Sequence, residues 1–394
     1  METFKNTTAI IQFMLLIWVG LTTIYMLFYS IMGRIYKTKK NYSKSNNTSL
    51  PRIAVIIPAY KEDNVILRTV ENALKQNYQI GKFQIVVVGD HLLSSTLYKL
   101  RKLPIQLHEV NFEKSTKAKA LNYAIEHSNN NFDLIVILDA DNIIENDFLT
   151  KMAVAFNNGH KAIQGHRTAK NHNTNHSLLD AISEEINNHI FCKGPQYIGL
   201  SSRLTGSGMA FEYNLFKSLM SEINAVGGFD KELEIKLLSN EVKIHYVDNA
   251  IVLDEKVSTG DVLINQRKRW ISSQIHYMKK YALSGFKELL FNKNFDYFNK
   301  ALQLLLLPRA FMFILLVFGL TASILLNQYT IAYTWLTMLI AYMLVFIIAF
   351  PIKFISKKLF RSIIYIPKTI IKMTFSIPQL ANANKEFIHT PHSS

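Results

Sequence analysis

Two carboxylates one residue apart, Asp139 and Asp141, directly follow the apolar run LIVIL at 134–138. At the end of a buried strand, such a pair would repel strongly unless a cation lay between the two groups. Mg²⁺ and Mn²⁺ prefer oxygen ligands, and Mg²⁺ commonly shares them with phosphate. The alternative is a helix N-cap, a position that aspartate also favours and that Asp141 would suit. Together with the two motifs described next, the pair favours a site for Mg²⁺ or Mn²⁺.

Polar motifs also follow two earlier apolar runs. IAVII at 53–57 is followed by PAYKE, and IVVVG at 85–89 is followed by Asp90. An aromatic ring and a carboxylate suit stacking on a base and binding of its polar edge. The chain contains neither G-x-G-x-x-G nor G-x-x-x-x-G-K-[ST], which argues against a dinucleotide fingerprint and a P-loop. Ordinary loop polarity would explain either motif alone, but together they indicate a binding edge.

Three later segments offer further candidates. Lys117 begins KAKALN, where a lysine would reach a diphosphate, although an exposed helical lysine is the more common case. GSGM at 206–209 permits close backbone approach to a ligand, or forms a plain turn. QRKRW at 266–270 places a guanidinium beside an indole. Arginine suits phosphate oxygens and indole suits the apolar face of a sugar, but both residues are also common membrane-interface anchors.

The elements that would position these residues alternate between apolar strands and helical patterns. Helices are predicted near Asn64–Gln76 and Thr116–His127, between the three runs that we interpret as strands. Fully apolar strands separated by helices indicate a parallel sheet covered on both faces. Ligands of such sheets bind beyond the carboxyl ends of the strands, where the acidic residues lie. The sequence therefore predicts an α/β unit that extends to about Leu253.

Two long uncharged segments predict membrane-spanning helices. The first has 28 residues and ends before Arg34, and the second covers 310–351, which is long enough for two spans. Six lysine or arginine residues and no acid occupy 34–52, and 353–372 has the same composition. These flanks account for most of the net charge of +15. The positive-inside rule then predicts three crossings with the intervening domain in the cytoplasm, and no basic face remains for nucleic acid.

The motifs PAYKE, VVVGD, KAKALN, DAD, GSGM, KELE and QRKRW occur in this order along the chain. The series resembles the membrane-bound family 2 glycosyltransferases of the GT-A fold, which include cellulose, hyaluronan and poly-N-acetylglucosamine synthases. The resemblance covers about residues 52–270 and the flanking spans. It implies an α/β GT-A fold with a mostly parallel sheet and with transmembrane and interfacial α-helices. It also implies sugar transfer from a UDP-sugar with Mg²⁺ or Mn²⁺ as cofactor.

The resemblance also implies roles for individual residues. Those placed at the nucleotide-sugar are Pro58, Tyr60, Glu62, Asp90, Lys117 and Asp139. Those placed at the metal are Asp139 and Asp141. Those placed at the acceptor are Gly206, Ser207, Gly208 and Trp270. Those placed in catalysis are Gln266 and Arg269 at the diphosphate, Trp270 under the acceptor sugar, and Glu232 as the base.

The chain departs from the family pattern at two places. The family usually has asparagine where Lys61 stands, and Glu-Asp, with the aspartate as base, where this chain has Lys231-Glu232. Aligning these pairs makes Glu232 the expected base but requires a small deletion before Gln266. Asp230 is the other candidate. A single displacement with inversion is expected, which would give a β-linkage from an α-linked UDP-sugar.

The predicted domain organisation follows from these segments. It comprises a transmembrane helix over 1–33, a basic cytoplasmic linker over 34–51, the GT-A domain over 52–265, interfacial helices over 266–303, two transmembrane helices over 304–352 and a basic interfacial segment over 353–394. We expect a multi-pass protein of the inner (plasma) membrane.

The expected activity is transfer of a sugar from a UDP-sugar to a saccharide, with a β-linked polysaccharide as product. Transfer of one sugar to a lipid or saccharide acceptor remains open, as does a membrane-anchored nucleotide-binding scaffold without turnover. The expected partners are the UDP-sugar donor, a saccharide or lipid acceptor and membrane lipids. Three crossings are few for enclosing a pore, so a second copy of the chain or an export partner is a further candidate.

Overall fold

A computed structural model of the protein describes residues 2–37, 49–128, 131–257 and 259–375. Its centre is an eight-stranded sheet. The strands are β1 Ile53–Tyr60, β2 Phe83–Asp90, β3 Gln106–Val110, β4 Leu134–Ile137, β5 Ile143–Ile144, β6 Ala162–Ala169, β7 Met209–Glu212 and β8 Ile244–Asp254. Their spatial order is β3-β2-β1-β4-β7-β6-β8-β5.

Helices surround the sheet and include the candidate membrane spans. They are α1 Glu2–Ile35, α2 Ile66–Ala73, α3 Ser94–Leu100, α4 Lys117–His127, α5 Phe148–Asn157, α6 Asn175–Asn188, α7 Gly194–Tyr197, α8 Tyr213–Met220, α9 Phe229–Ser239, α10 Gly260–Lys287, α11 Phe295–Leu305, α12 Arg309–Leu325, α13 Tyr329–Ala349, α14 Lys357–Ile363 and α15 Tyr365–Phe375. Short π-helical segments cover His189–Lys193 and Glu288–Asn292, and a 3₁₀ turn covers Ile352–Phe354.

The sheet is mostly parallel. Strands β1, β2, β3 and β4 run in one direction, β6 pairs with β8 in parallel, and β7 pairs antiparallel with β4 and β6. The three predicted strands correspond to β1, β2 and β4, and the two predicted helices correspond to α2 and α4, so the α/β prediction is confirmed. The register pairs Tyr60 with Asp90, which brings the first two polar motifs side by side.

Helices cover both faces of the sheet, so both sets of alternating side chains along a strand are buried. Along β1, Ala54 and Ile56 belong to a core cluster with residues of α4, α8 and α9. Ile53, Val55 and Ile57 belong to a second cluster with residues of α2 and α5. Helices on both faces explain why the central strands are apolar throughout.

Within the described residues, two helices are long and apolar enough to cross a membrane. They are the part of α1 from Gln12 to Ile35 and helix α13, Tyr329–Ala349. Helix α12 has 17 residues, short of the roughly 20 needed for a span. It follows α11 with a bend of 62°, and the pair counts as a third candidate span if taken together. Three crossings therefore hold only when this bent pair is one span.

Helix α1 packs directly against the α/β unit. The hydroxyls of Tyr25 and Tyr29 both donate to Asn299 Oδ1, at 2.7 and 2.8 Å. His189 Nε2 lies 2.8 Å from the carbonyl oxygen of Ser30. A Cβ atom on Gly33 would lie 2.5 Å from the carbonyl oxygen of His189, so only glycine permits this approach. The N-terminal helix and the sheet unit thus share a packed interface.

Candidate active site

A cavity of about 1430 Å³ opens at the carboxyl ends of the parallel strands and extends to the apolar helices α12 and α13. It brings together most of the site residues predicted from the sequence. Those that line it are Pro58, Tyr60, Glu62, Asp90, Lys117, Asp139, Asp141, Gly206, Gln266, Arg269 and Trp270. Of the site residues predicted from the sequence, Ser207, Gly208 and Glu232 do not line the cavity.

An acidic centre forms where the ends of two strands, β4 and β8, meet. Ligand oxygens of Asp139, Asp141 and Asp254 all lie within 4.8 Å of one another. Asp139 and Asp141 follow β4, and Asp254 is the last residue of β8. Asp254 is not among the residues predicted from the sequence. Three carboxylates at this separation form the oxygen donor set that a hard divalent cation takes, so the residues fit Mg²⁺ or Mn²⁺.

Two lysines and a backbone amide compensate the charge of the acidic centre. Lys117 Nζ forms an ion pair with Asp139 and donates to the carbonyl oxygen of Gly206 at 2.9 Å. Lys256 Nζ lies 2.6 Å from Asp254 Oδ2. Asp141 Oδ2 accepts a hydrogen bond from the backbone amide of Glu255 at 3.1 Å. The carboxylates are therefore held in place by the protein itself.

One end of the cavity lies at the tips of β1 and β2. Asp90 is 2% exposed, and its Oδ1 accepts from the amide of Phe112 at 3.2 Å and lies 2.6 Å from His91 Nδ1. The ring of Tyr60 meets that of His91 edge-on, with centroids 5.7 Å apart. A carboxylate and an aromatic ring therefore stand side by side, as the sequence predicts, and their role in binding a base stays a prediction.

The segment GSGM at 206–209 supports the acidic centre. Gly206 and Gly208 have φ angles of +88° and +63°, and a Cβ atom on Gly208 would lie 2.7 Å from Val252 Cγ2. Ser207 Oγ accepts from the backbone amide of Asp139 at 2.9 Å. Glycine is required here for the left-handed backbone and the close approach. Ser207 and Gly208 thus support Asp139 from outside the cavity, whereas Gly206 lines it.

The two candidate bases lie on different sides of helix α9. Successive helical residues are about 100° apart, so Asp230 and Glu232 differ by about 200°. Asp230 lines the cavity, and a Cβ atom on Gly206 would lie 3.9 Å from its Oδ2. Glu232 instead accepts from Lys280 Nζ at 2.7 Å and from the hydroxyl of Tyr281 at 3.2 Å. This geometry favours Asp230 of the two candidates, and the identity of the base stays a prediction.

The motif QRKRW lies on α10 and faces the cavity. Gln266 Oε1 is buried and has no hydrogen-bond partner among the described residues. Burial lowers the pKa of the Arg269 guanidinium. Trp270 is 39% exposed, and the guanidinium of Arg267 lies 4.6 Å from the centroid of its ring. A buried acceptor without a partner indicates a position where a ligand donor completes the hydrogen bond.

Lys231 makes the stability of the folded protein depend on pH. Burial lowers its pKa to about 8, although nearby Asp230 opposes the shift. The folded state therefore binds the lysine proton less tightly than the unfolded state does. The buried charge of Lys231 lowers the free energy of unfolding below about pH 8, and this loss of stability disappears as pH rises towards 10.5. We expect Lys231→Met to raise Tm in detergent at pH 7, and the gain to shrink towards pH 10. A gain that is independent of pH would contradict this assignment.

Comparisons with known proteins identify the family of the chain. The model of the family "Glycosyltransferase like family 2" matches residues 51–273, which is more than half of the chain. The chain is 22% identical over 299 residues to Beta-monoglucosyldiacylglycerol synthase of Nostoc sp., covering 74% of this chain and 63% of the relative. It is 27% identical over 293 residues to Probable glycosyltransferase YdaM of Bacillus subtilis, covering 69% of this chain and 67% of the relative. The chain thus spans about two thirds of these curated relatives.

A solved structure supports the fold. The mannosyltransferase PcManGT from Pyrobaculum calidifontis, in complex with GDP-Man and Mn²⁺, superposes with a TM-score of 0.52 at 16% identity, covering 84% of this chain and 97% of that chain. At this identity the likeness concerns the fold, and it agrees with the GT-A architecture expected from the sequence. The family match over residues 51–273 shows that the chain belongs to glycosyltransferase family 2.

Proposed function

We propose that the protein transfers a sugar from a UDP-sugar to an acceptor by single displacement with inversion. The observation that carries the proposal is the acidic centre of Asp139, Asp141 and Asp254, with Asp230 in the same cavity. Tyr60 and Asp90, at the tips of β1 and β2, would hold the uracil. Gln266 and Arg269 would face the diphosphate from α10. The remaining cavity would receive the acceptor.

Asp230 would be the base of this reaction. Its carboxylate would take the proton of the acceptor hydroxyl as the oxygen attacks C1 of the donor sugar, a role worth about 10²–10⁴-fold in rate. Arg269 would balance the charge that develops on the leaving diphosphate, because a guanidinium binds phosphate oxygens through paired donors. Lys117, between Asp139 and Gly206, would hold the donor sugar or its phosphate.

The acidic centre would hold the divalent ion. Asp139, Asp141 and Asp254 are the three residues that would bind it, and the ion would act there as a Lewis acid on the diphosphate. Asn142 orients two of these ligands: its Nδ2 donates to Asp254 Oδ1 at 3.1 Å, and its Oδ1 accepts from the amide of Asp139 at 3.1 Å. Such outer contacts fix the direction of the ligand oxygens.

The lining of the cavity also indicates which kind of acceptor it would hold. Its far end is lined by apolar residues of three membrane-side helices, namely Phe313, Ile314, Val317, Phe318, Met343, Phe346, Ile366 and Ile370. A sugar polymer needs hydrogen-bonding groups along its path, whereas an acyl chain needs apolar surface. This lining favours transfer of one sugar to a membrane lipid over the β-linked polysaccharide expected from the resemblance. We propose that the protein acts at the plasma membrane with its catalytic domain in the cytoplasm.

The proposal is tested by offering the purified full chain a panel of donors. UDP-glucose, UDP-N-acetylglucosamine and UDP-galactose are each incubated with the protein in lipid vesicles with Mn²⁺, and released UDP and the size of labelled products are measured. We expect UDP release with at least one donor, a product one sugar larger than its acceptor, and loss of turnover on chelation. UDP binding without release from any donor would instead identify a nucleotide-binding scaffold.

A further inference from the structure

Two arginines meet at one serine where the polar part of the cavity joins its apolar end. Arg309 donates to the hydroxyl of Ser183 at 2.6 Å and to its carbonyl oxygen at 3.1 Å. Arg267 lies 3.5 Å from the same hydroxyl and forms an ion pair with Asp180. All four residues line the cavity. Two guanidinium groups thus share one serine hydroxyl.

The charges at this junction are not balanced by the surrounding side chains. Among the described residues, the ion pairs around Ser183 comprise one carboxylate, Asp180, for two guanidinium groups. In the part of the chain that the structure describes, the Arg309 guanidinium donates only to Ser183, and it lies 5.9 Å from the ring centroid of Phe346. Holding like charges together in a partly buried site is unfavourable unless an anion lies between them. The junction therefore has the chemistry of an anion site, and phosphate suits paired guanidinium groups.

The anion site is connected to the residues that would handle the acceptor. Arg267 contacts Ser183 on one side and lies over the ring of Trp270 on the other, at 4.6 Å. On the membrane side, Phe313 and Val317 continue the cavity along α12 from Arg309. A ligand that spans these features carries an apolar chain, then a phosphate, then a group that reaches the catalytic part of the cavity.

We propose that the acceptor is a phospholipid with a free hydroxyl in its headgroup. Its phosphate binds at Arg267 and Arg309, and its acyl chain occupies the apolar end of the cavity. The inference rests on the proposed function and names its acceptor. The headgroup oxygen forms a bond to C1 of the sugar as the bond from C1 to the diphosphate oxygen breaks. The electron pair leaves on the diphosphate, and the hydroxyl proton passes to Asp230.

The test compares three acceptors in phosphatidylcholine vesicles with the full-length protein, Mn²⁺ and the labelled UDP-sugar panel. Phosphatidylglycerol supplies chain, phosphate and hydroxyl, diacylglycerol lacks the phosphate, and glycerol 3-phosphate lacks the chain. We expect label in the lipid fraction with phosphatidylglycerol, at least about tenfold above the other two, since the loss of a charge-assisted contact costs about that factor. Equal labelling of diacylglycerol, or label in glycerol 3-phosphate or a water-soluble polymer, would overturn the inference while leaving sugar transfer intact. Absence of UDP release in every arm would overturn both proposals.

Matched variants locate the acceptor. Arg309→Gln should raise the apparent KM for phosphatidylglycerol about tenfold or more, as removal of a charged donor does, while UDP and Mn²⁺ binding stay unchanged. Arg361→Gln, an exposed arginine of α14, is the control for surface charge and should leave KM unchanged. An Arg309 variant with normal KM would contradict the phosphate site.

A second pair of variants tests the apolar end without altering charge. Val317→Trp fills the space against α12, so it should lower transfer to long-chain phosphatidylglycerol more than to a short-chain form. Leu325→Trp, at an 81% exposed position of the same helix, should affect neither. Equal loss with both chain lengths, in protein that still binds UDP, would contradict the placement of the acyl chain.

Discussion

Asp230→Asn is expected to lower kcat by about 10²–10⁴-fold, the range that a positioned general base contributes. The side chain keeps its shape but can no longer take a proton from the acceptor. Because Asp230 lies beside Gly206 and outside the acidic centre, the affinity for UDP and Mn²⁺ should change little. UDP release under saturating substrates gives kcat, and calorimetric titration of UDP gives the affinity.

Glu232→Gln is the matched control for this experiment. Glu232 forms an ion pair with Lys280 and hydrogen bonds with Tyr277 and Tyr281, so its replacement should lower Tm and leave kcat near that of the unchanged protein. If Glu232→Gln lost turnover at unchanged Tm while Asp230→Asn stayed active, the base would be Glu232.

Asp254→Asn is expected to abolish measurable turnover by weakening the binding of Mn²⁺. The variant removes one of three carboxylates whose oxygens lie within 4.8 Å of one another. Changes to groups around metal ligands already cost about 10–100-fold in affinity, and loss of a ligand carboxylate should cost at least as much. Titration of Mn²⁺ in the presence of UDP measures the loss, and high Mn²⁺ should restore part of the activity.

Asp147→Asn serves as the control for the metal experiment. Asp147 is half-exposed and forms an ion pair with Lys151 at 2.8 Å. Its replacement changes the net charge by the same amount as Asp254→Asn does. Because Asp147 lies outside the acidic centre, Mn²⁺ affinity and kcat should stay unchanged. Equal Mn²⁺ affinity in Asp254→Asn and the unchanged protein, with the fold intact, would exclude Asp254 as a ligand.

The central strands were predictable because both of their faces are buried. Strands β1, β2 and β4 are runs of β-branched and other apolar residues, a pattern that turns and helices seldom imitate. Strand β8, Ile244–Asp254, includes His245, Asp248 and Asn249, so its composition resembles that of a loop. The expectation that site residues follow strands therefore identified Asp139 but did not identify Asp254. Reading IVLD at 251–254 as a strand end would have identified it.

The sequence alone does not decide between the two candidate bases, for a reason of helical geometry. The sequence comparison relied on the order of residues in KELE, and this order carries no information about which residue faces the substrate. A helix over 229–239 places Asp230 and Glu234 about 40° apart, and both line the cavity. Had the helix been recognised, its period would have grouped these two and separated Glu232. Helix orientation depends on packing against α10, which sequence alone does not supply.

The tight contact of α1 at Gly33 and His189 holds the cavity at a fixed distance from this candidate membrane span. The distance is set by helix packing and by hydrogen bonds such as that from Tyr29 to Asn299. A truncated protein lacking α1 would expose the buried surface around Asn299 and His189 to water. Exchanging α1 for an unrelated anchor would restore membrane attachment but lose the alignment between cavity and lipid.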